Sequence, residues 1–332
     1  MKAAYIDQPG PAENIRYGEL PTPRPSGAEV LVKVGAVSVN PIDTYVRSGK
    51  VPMRLPLPLV VGCDLAGVVA EAGPNARRFK PGDRVWGSNQ GLLGRQGTFA
   101  EFAAVDECWL YPTPDSVGDE QAAAAALVGI TAHLGLVRDV RLKRGETLFV
   151  HGGTGGVGSM VVQMAKALGA RVITTAGSPE KAARCRELGA DLAIQYKQED
   201  EQARTREFSP GGVDVYWESL REPNFDRAIE LLAPRGRMIV MAGRDARPPF
   251  PVGPFYLKGC LLFGFAMFNA TADEQRAAAA EINRWLASGE LKAQIDRVLP
   301  LSETATAHRL QEENATGGSG PLAGKIVLKP AG

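Results

Sequence analysis

Cysteine is scarce in this 332-residue chain. Its four thiols, Cys63, Cys108, Cys185 and Cys260, lie far apart and form no CxxC pair. That excludes a disulfide framework and a cysteine-clustered structural zinc, and it predicts a reducing compartment, the cytoplasm. Histidine is scarcer still: His133, His151 and His308 are the whole supply. A catalytic zinc needs a converging set of Cys, His or carboxylate ligands. Cys63-Asp64 could contribute to one, but no complete set is legible, so no metal is expected. Charge of one sign is also missing. The 38 basic and 37 acidic residues leave a net charge of +1, which gives no global field to attract nucleic acid or an anionic membrane. Uncharged apolar runs stay short of the roughly 18 residues that suggest a membrane helix. Met1-Lys2-Ala3-Ala4-Tyr5-Ile6-Asp7 has no basic segment followed by an apolar one, so it does not read as a secretory signal.

What is present is ordinary globular material, 44% hydrophobic and 23% charged. The length exceeds one compact core and predicts two domains. From Met1 to about Pro114 the chain reads as short strands with recurring Pro and Gly. Glu29 to Val34 and Gly67 to Gly73 are two of them, and Lys80-Pro81-Gly82-Asp83 turns into Arg84-Val85. This suits a compact all-β or partly open barrel. Near Asp115 the texture changes to a capped alanine run, Ala122 to Ala126. From Thr147 onward strands and helices alternate. The strands are Thr147–His151, Arg171–Thr175, Leu192–Gln195, Val213–Glu218, Arg237–Met241 and Cys260–Phe265. Helices are read at Val157–Leu168, Pro179–Leu188 and Phe225–Leu232. Alternation of this kind implies a doubly wound parallel sheet, so the fold class is α/β. A polar helix at Ala272–Ser288 and a strand at Lys325–Leu328 are expected to return to the first domain. Gly317-Gly318-Ser319-Gly320 reads as a turn. The predicted division is residues 1–122 with 267–332 against 123–266.

The sharpest chemical signal is Gly153-Thr154-Gly155-Gly156-Val157-Gly158, a G-x-G-x-x-G placed between a strand and a helix. The first glycine permits the tight turn. The second lets the backbone approach a pyrophosphate, and the third seats the helix on the strand. Free amides at the helix start then face the phosphates. An NAD site carries an acid about 20 residues on, at the end of the second strand. Here that end reads Thr174-Thr175-Ala176-Gly177-Ser178-Pro179, with no carboxylate before Glu180, and Lys181 and Arg184 follow. NADP is therefore favoured; the alternative for the two cations is a solvated helix face. His151 reads as a packing or hydrogen-bonding residue rather than a base.

The segment Ser38-Val39-Asn40-Pro41-Ile42-Asp43-Thr44-Tyr45-Val46-Arg47-Ser48-Gly49 resembles the quinone oxidoreductases, especially the zinc-independent, zeta-crystallin-like members of the medium-chain dehydrogenase/reductase superfamily. Gly62-Cys63-Asp64-Leu65-Ala66-Gly67, Gly97-Thr98-Phe99-Ala100-Glu101-Phe102, Lys166-Ala167-Leu168-Gly169-Ala170 and Gly324-Lys325-Ile326-Val327-Leu328 extend the likeness over nearly the whole chain. In zinc-dependent members a cysteine ligand lies where this chain has Asn40, and Gly-His-Glu where it has Gly62-Cys63-Asp64. The resemblance implies a GroES-like first domain, a Rossmann second domain, and NADPH in a cleft between them. It implies that Asn40, Tyr45 and Thr131 face the nicotinamide, with Gly153 to Gly158 on the pyrophosphate. Gly177, Ser178, Lys181 and Tyr196 would surround the 2′-phosphate. Ala242, Gly243 and Arg244 would border the nicotinamide ribose, Phe265, Ala266 and Met267 would flank the ring, and Lys325 would also bind cofactor. The expected activity is reduction of a quinone. The alternatives are reduction of an activated alkene or a cofactor-binding structural or RNA-binding role. Asn40 before Pro41 could also simply make a turn. A second tyrosine of several bacterial relatives is absent at Lys50-Val51-Pro52. The apolar strand Cys260–Phe265, read as last in its sheet, predicts a homodimer or a dimer of dimers.

Overall fold

The computed structural model describes residues 1–316 and 322–331; the turn expected at Gly317–Gly320 lies outside them. The chain forms two compact units. One comprises Met1–Ile130 with Thr271–Gly332, and the other Thr131–Ala270. The helix Asp119–His133 spans both residue 122 and this first boundary.

The first unit opens with β1 (Lys2–Ile6) and β2 (Arg16–Glu19), then β3 (Glu29–Ser38), α1 (Pro41–Ser48), β4 (Leu59–Val60) and β5 (Leu65–Ala72). β6 (Arg84–Gly87), β7 (Phe102–Asp106), β8 (Leu110–Pro112) and α2 (Asp119–His133) follow. The second unit alternates β9 (Thr147–Val150), α3 (Gly156–Ala167), β10 (Arg171–Ala176), α4 (Pro179–Glu187), β11 (Leu192–Gln195), α5 (Glu201–Phe208) and β12 (Val213–Glu218). It continues through α6 (Phe225–Leu231), β13 (Leu232–Val240), α7 (Val252–Leu257) and β14 (Leu261–Gly264). The chain then returns to the first unit with α8 (Ala272–Ser288), β15 (Ile295–Pro300), α9 (Thr304–Thr316) and β16 (Lys325–Lys329).

In the first unit a sheet runs β15-β16-β3-β5-β6-β8, with β7 also on β3, and β2-β1-β4 form a smaller sheet. The last strand of the chain sits between β15 and β3 in the larger one. β16 pairs antiparallel with the end of β3, Val327 opposite Ser38. That register carries Lys325 toward Asn40, just beyond the end of β3.

The second unit is one six-stranded sheet in the order β11-β10-β9-β12-β13-β14, and every pair in it is parallel. The α/β Rossmann reading therefore holds. Its strands are near-continuous apolar runs because helices cover both faces of a parallel sheet; Thr147–Val150 is buried at every position. The strand order reverses beside β9. Open α/β sheets bind ligands in the crevice at the carboxyl ends of the strands at such a switch point.

One local expectation is corrected. The stretch after Asn40 is a helix, not only a turn. Pro41 holds the first helical position and the Asp43 carboxylate accepts from the Asn40 backbone N–H at 2.7 Å, half of a capping box. One apolar stretch, Asp119–Asp139, is long and apolar enough to cross a membrane. Most of it is packed inside the fold: Ala122 to Ala126 are 0% exposed, which makes α2 a core helix.

Candidate active site

The second unit builds the phosphate loop as the glycine spacing requires. A β-carbon on Gly153 would lie 2.5 Å from Thr174 Oγ1, and one on Gly158 only 2.2 Å from the Gly152 carbonyl oxygen. Both positions are closed to any side chain. Gly152, by contrast, has φ +65° and nothing within 4 Å of an added β-carbon, so the loop opens outward there. Gly155 caps α3 without a side-chain hydrogen bond. The helix start therefore offers its first-turn amides and positive dipole end to a ligand. Thr154 is buried, while Gly155, Gly156 and Val157 reach the surface. The loop is tied to the end of β10, where the Gly152 N–H donates to Thr175 Oγ1 at 3.1 Å.

At that strand end Gly177 and Tyr196 come together: a β-carbon on Gly177 would stand 2.8 Å from the Tyr196 hydroxyl. Ser178 caps α4 by accepting from the Lys181 N–H at 3.3 Å. The nearest carboxylate in sequence, Glu180, is fully exposed on the first turn of α4 and accepts from Ser178, which holds it below the usual range. These residues fit a dinucleotide: a glycine cradle that side chains would fill, a helix start, and a hydroxyl- and amine-bearing strand end.

Beneath the loop lies a polar cluster that sequence reading missed apart from His151. His151 is 2.7 Å from the Tyr216 hydroxyl through Nε2 and 3.4 Å from Thr175 Oγ1 through Nδ1. Arg227 Nη2 also lies 3.3 Å from Nε2. An arginine cannot accept, so Nε2 is the acceptor and the proton sits on Nδ1. Burial, helped by the Arg227 charge, pulls the His151 pKa down to about 3, so the ring is neutral. Glu201 pairs with Arg227 at 3.3 Å. Glu218 is 0% exposed; burial pushes its carboxyl up to about 7, while the Leu220 N–H donates to it at 2.7 Å. The signal was the spacing of acids and arginines at strand and helix ends, which a sequence cannot gather across four elements.

Gly243, at φ +74°, packs on the neighbouring loop, where a β-carbon would meet the Arg221 carbonyl at 2.7 Å. Ala242 is half-buried beside it and Arg244 exposed. The Arg138 guanidinium lies over the Phe265 ring, 5.3 Å from its centre. Ala266 precedes a short 3-10 turn at Met267–Asn269, with Met267 buried. Thr131 is buried near the end of α2.

In the first unit the geometry assigns the predicted residues differently. Asn40 is 0% exposed. Its Nδ2 donates to Asp64 Oδ2 at 2.7 Å and to the Ser38 carbonyl at 3.3 Å, and its Oδ1 accepts from Lys325. The amide is committed at both ends, so the expected donation to a substrate oxygen is not what this arrangement supplies. Lys325 lies on the same group. Its ammonium is buried, donating to the Val39 carbonyl at 2.7 Å and to Asn40. Asp64 accepts from Ser88 at 2.6 Å and Ser38 at 3.0 Å. Burial raises both Asp64 and Asp43, the latter to about 7. Tyr45 is half-buried one turn into α1. Arg47 anchors the far end of that helix to the Gly10 carbonyl at 2.7 Å and to Glu312. Among the described residues, no group of three or more His, Cys, Asp and Glu side chains is gathered to hold a metal.

Comparison with known proteins agrees with both halves. The family model for the alcohol dehydrogenase GroES-like domain matches residues 26–115, and that for zinc-binding dehydrogenase matches residues 156–284. A quinone oxidoreductase of Homo sapiens is 32% identical over 330 residues, covering 99% of this chain and 97% of its own. Among solved structures, an Escherichia coli quinone oxidoreductase complexed with NADPH aligns with TM-score 0.87 at 29% identity, covering 99% and 100% of the two chains. An NAD-dependent alcohol dehydrogenase gives 0.89 at 30% identity, and a 2-haloacrylate reductase 0.84 at 28%, each covering both chains fully. The glycine loop, the two domain types and the full-length likeness converge: the chain belongs to the quinone oxidoreductase family of the medium-chain dehydrogenase/reductase superfamily.

Proposed function

We propose that this protein reduces quinones with NADPH and without zinc. When bound, NADPH supplies the hydride from its nicotinamide ring. The loop Gly152–Gly158 and the start of α3 hold the pyrophosphate by backbone amides. The observation that carries the cofactor choice is the end of β10. No carboxylate stands between Thr174 and Pro179 to take a ribose 2′-hydroxyl or repel a 2′-phosphate, and the Tyr196 hydroxyl packs directly against Gly177. Ser178 and Lys181 complete that corner.

Negative charge that builds on the quinone oxygen is met by a hydrogen-bond donor rather than a metal. Tyr45 is the favoured donor, with Thr131 second, because Asn40 is already committed internally. The quinone oxidoreductases among the relatives support the substrate class. A second reading, reduction of an activated alkene, is favoured by the likeness to a 2-haloacrylate reductase. It uses the same cofactor corner and the same hydroxyl. Steady-state rates on a panel of quinones and conjugated enones separate the two. A kcat/KM higher for quinones supports the first reading, and one higher for enones replaces it with the second.

The protein is also proposed to pair through β14. That strand is the sheet edge, and Leu261 on it is 52% exposed, with nearby Leu257 at 78%. An apolar edge of this kind is a template for strand pairing. All four thiols are free, which suits a cytoplasmic setting.

A further inference from the structure

Lys325 is a charged side chain at 5% exposure with no role in the proposed chemistry. Ammonium groups are almost never fully buried unless paired, since losing water costs several kcal/mol. Its position is set by strand register. β16 pairs with β3 at Val327–Ser38, and the Val39 N–H donates to the Ile326 carbonyl at 3.0 Å. Lys325 then reaches beneath the turn that leads from β3 into α1.

All of its partners belong to that turn or to the residue that holds it. Nζ donates to the Val39 carbonyl and to Asn40 Oδ1, and lies 4.0 Å from Asp64 Oδ2. Asp64 is itself fixed by Ser38, Asn40 and Ser88, and its backbone carbonyl accepts from Thr98 Oγ1 at 2.7 Å. Asn40 caps α1, and its backbone N–H is taken by Asp43. Every polar group of the Asn40 side chain therefore ends on Lys325, Asp64 or Ser38.

We propose that Lys325 is a positioning residue: its ammonium locks the Val39-Asn40 turn, and so sets the start of α1 and the place of Tyr45. Val39 and Asn40 face it with oxygens only, which a cation satisfies and a neutral apolar group does not. This rests on the reading of Tyr45 as the donor to substrate, so the test carries a readout independent of turnover.

Removing Lys325 alone would leave Asp64 buried and unbalanced, and a loss of folding would be uninformative. Two charge-balanced pairs avoid this: Lys325→Met with Asp64→Asn, and Lys325→Gln with Asp64→Asn. They have the same net charge and similar side-chain length, and differ in whether a donor remains for Val39 and Asn40. Hydrogen exchange is followed over residues 40–49 and over the glycine loop, with KM for 1,4-benzoquinone and the dissociation constant for NADPH.

The methionine pair is expected to exchange faster over 40–49 only, to raise the quinone KM about tenfold, and to leave NADPH binding within about twofold. The glutamine pair is expected to recover both toward the parent. Equal exchange and equal KM in the two pairs would overturn the proposal, as would faster exchange with unchanged KM. Failure of both pairs to fold would also overturn it, by making Lys325 a residue of folding alone. A parent protein that turns over no quinone would reject the functional reading instead, and the exchange comparison would still decide whether Lys325 locks the turn.

Discussion

On the proposed reading Tyr45 is the first candidate donor to the substrate oxygen, with Thr131 second. From the sequence, Asn40 and Tyr45 are the first candidates and Thr131 the second, because a side-chain amide, a phenol and a hydroxyl all donate. Only the packed arrangement shows that the Asn40 amide is used by Asp64, Ser38 and Lys325. Tyr45→Phe is expected to lower kcat for quinone about a hundred- to a thousandfold with NADPH binding unchanged, the size of one lost oxyanion donor. Stopped-flow rates at saturating cofactor check this; weaker binding with unchanged turnover would remove Tyr45 from the chemistry. Glu218 makes a prediction of a different kind. Burial holds its folded pKa at about 7, above the usual 4.5. A carboxyl raised on folding contributes stability that is complete below about pH 4.5 and is lost as pH rises through about 7. Glu218→Gln keeps the oxygen that accepts from Leu220 and removes the titration. The variant should therefore gain thermal stability relative to the parent at pH 8 and not at pH 4.5. A Tm difference independent of pH would contradict that assignment.

Elements differ in how openly the sequence announces them. The βα alternation from Thr147 is readable because the strands are apolar runs and each of the first two helices ends near a glycine. Gly169 and Gly189 take φ +83° and +102°, as left-handed helix ends favour. The helix α1 is hidden because Asn-Pro is an ordinary turn signal, and only Asp43 three residues on turns it into a capping box. The glycine loop is fully legible, since its reason is local. Gly158 packs against the Gly152 carbonyl so closely that any β-carbon would strike backbone. Gly158→Ala is expected to cost about 1–3 kcal/mol through forced backbone movement and to weaken NADPH binding. Thermal unfolding and nicotinamide fluorescence read the two effects. An alanine variant with unchanged Tm and binding would mean that the loop seats α3 by some other contact. The lysine at the start of β16 shows the opposite case. The resemblance marks it as a cofactor ligand; only long-range strand register puts it beneath Asn40.

At the scale of the molecule, composition predicts two domains and the α/β class correctly, because chain length and period-two against period-3.6 patterning are global properties. The return of the last segment to the first unit is also legible. What composition cannot weigh is surface chemistry at β14. Leu261→Glu places a charge on that apolar edge and is expected to shift the protein from a dimer to a monomer by size-exclusion with light scattering, leaving NADPH binding intact. A parent protein already monomeric at micromolar concentration would reject pairing through β14.

The central claim is NADPH-driven quinone reduction without a metal. Its most direct test is cofactor oxidation by the chelator-treated protein, with NADPH and NADH supplied separately and 9,10-phenanthrenequinone as acceptor. Turnover that survives chelation and prefers NADPH is the predicted result. Turnover lost on chelation and restored by zinc, or a preference for NADH, would contradict it.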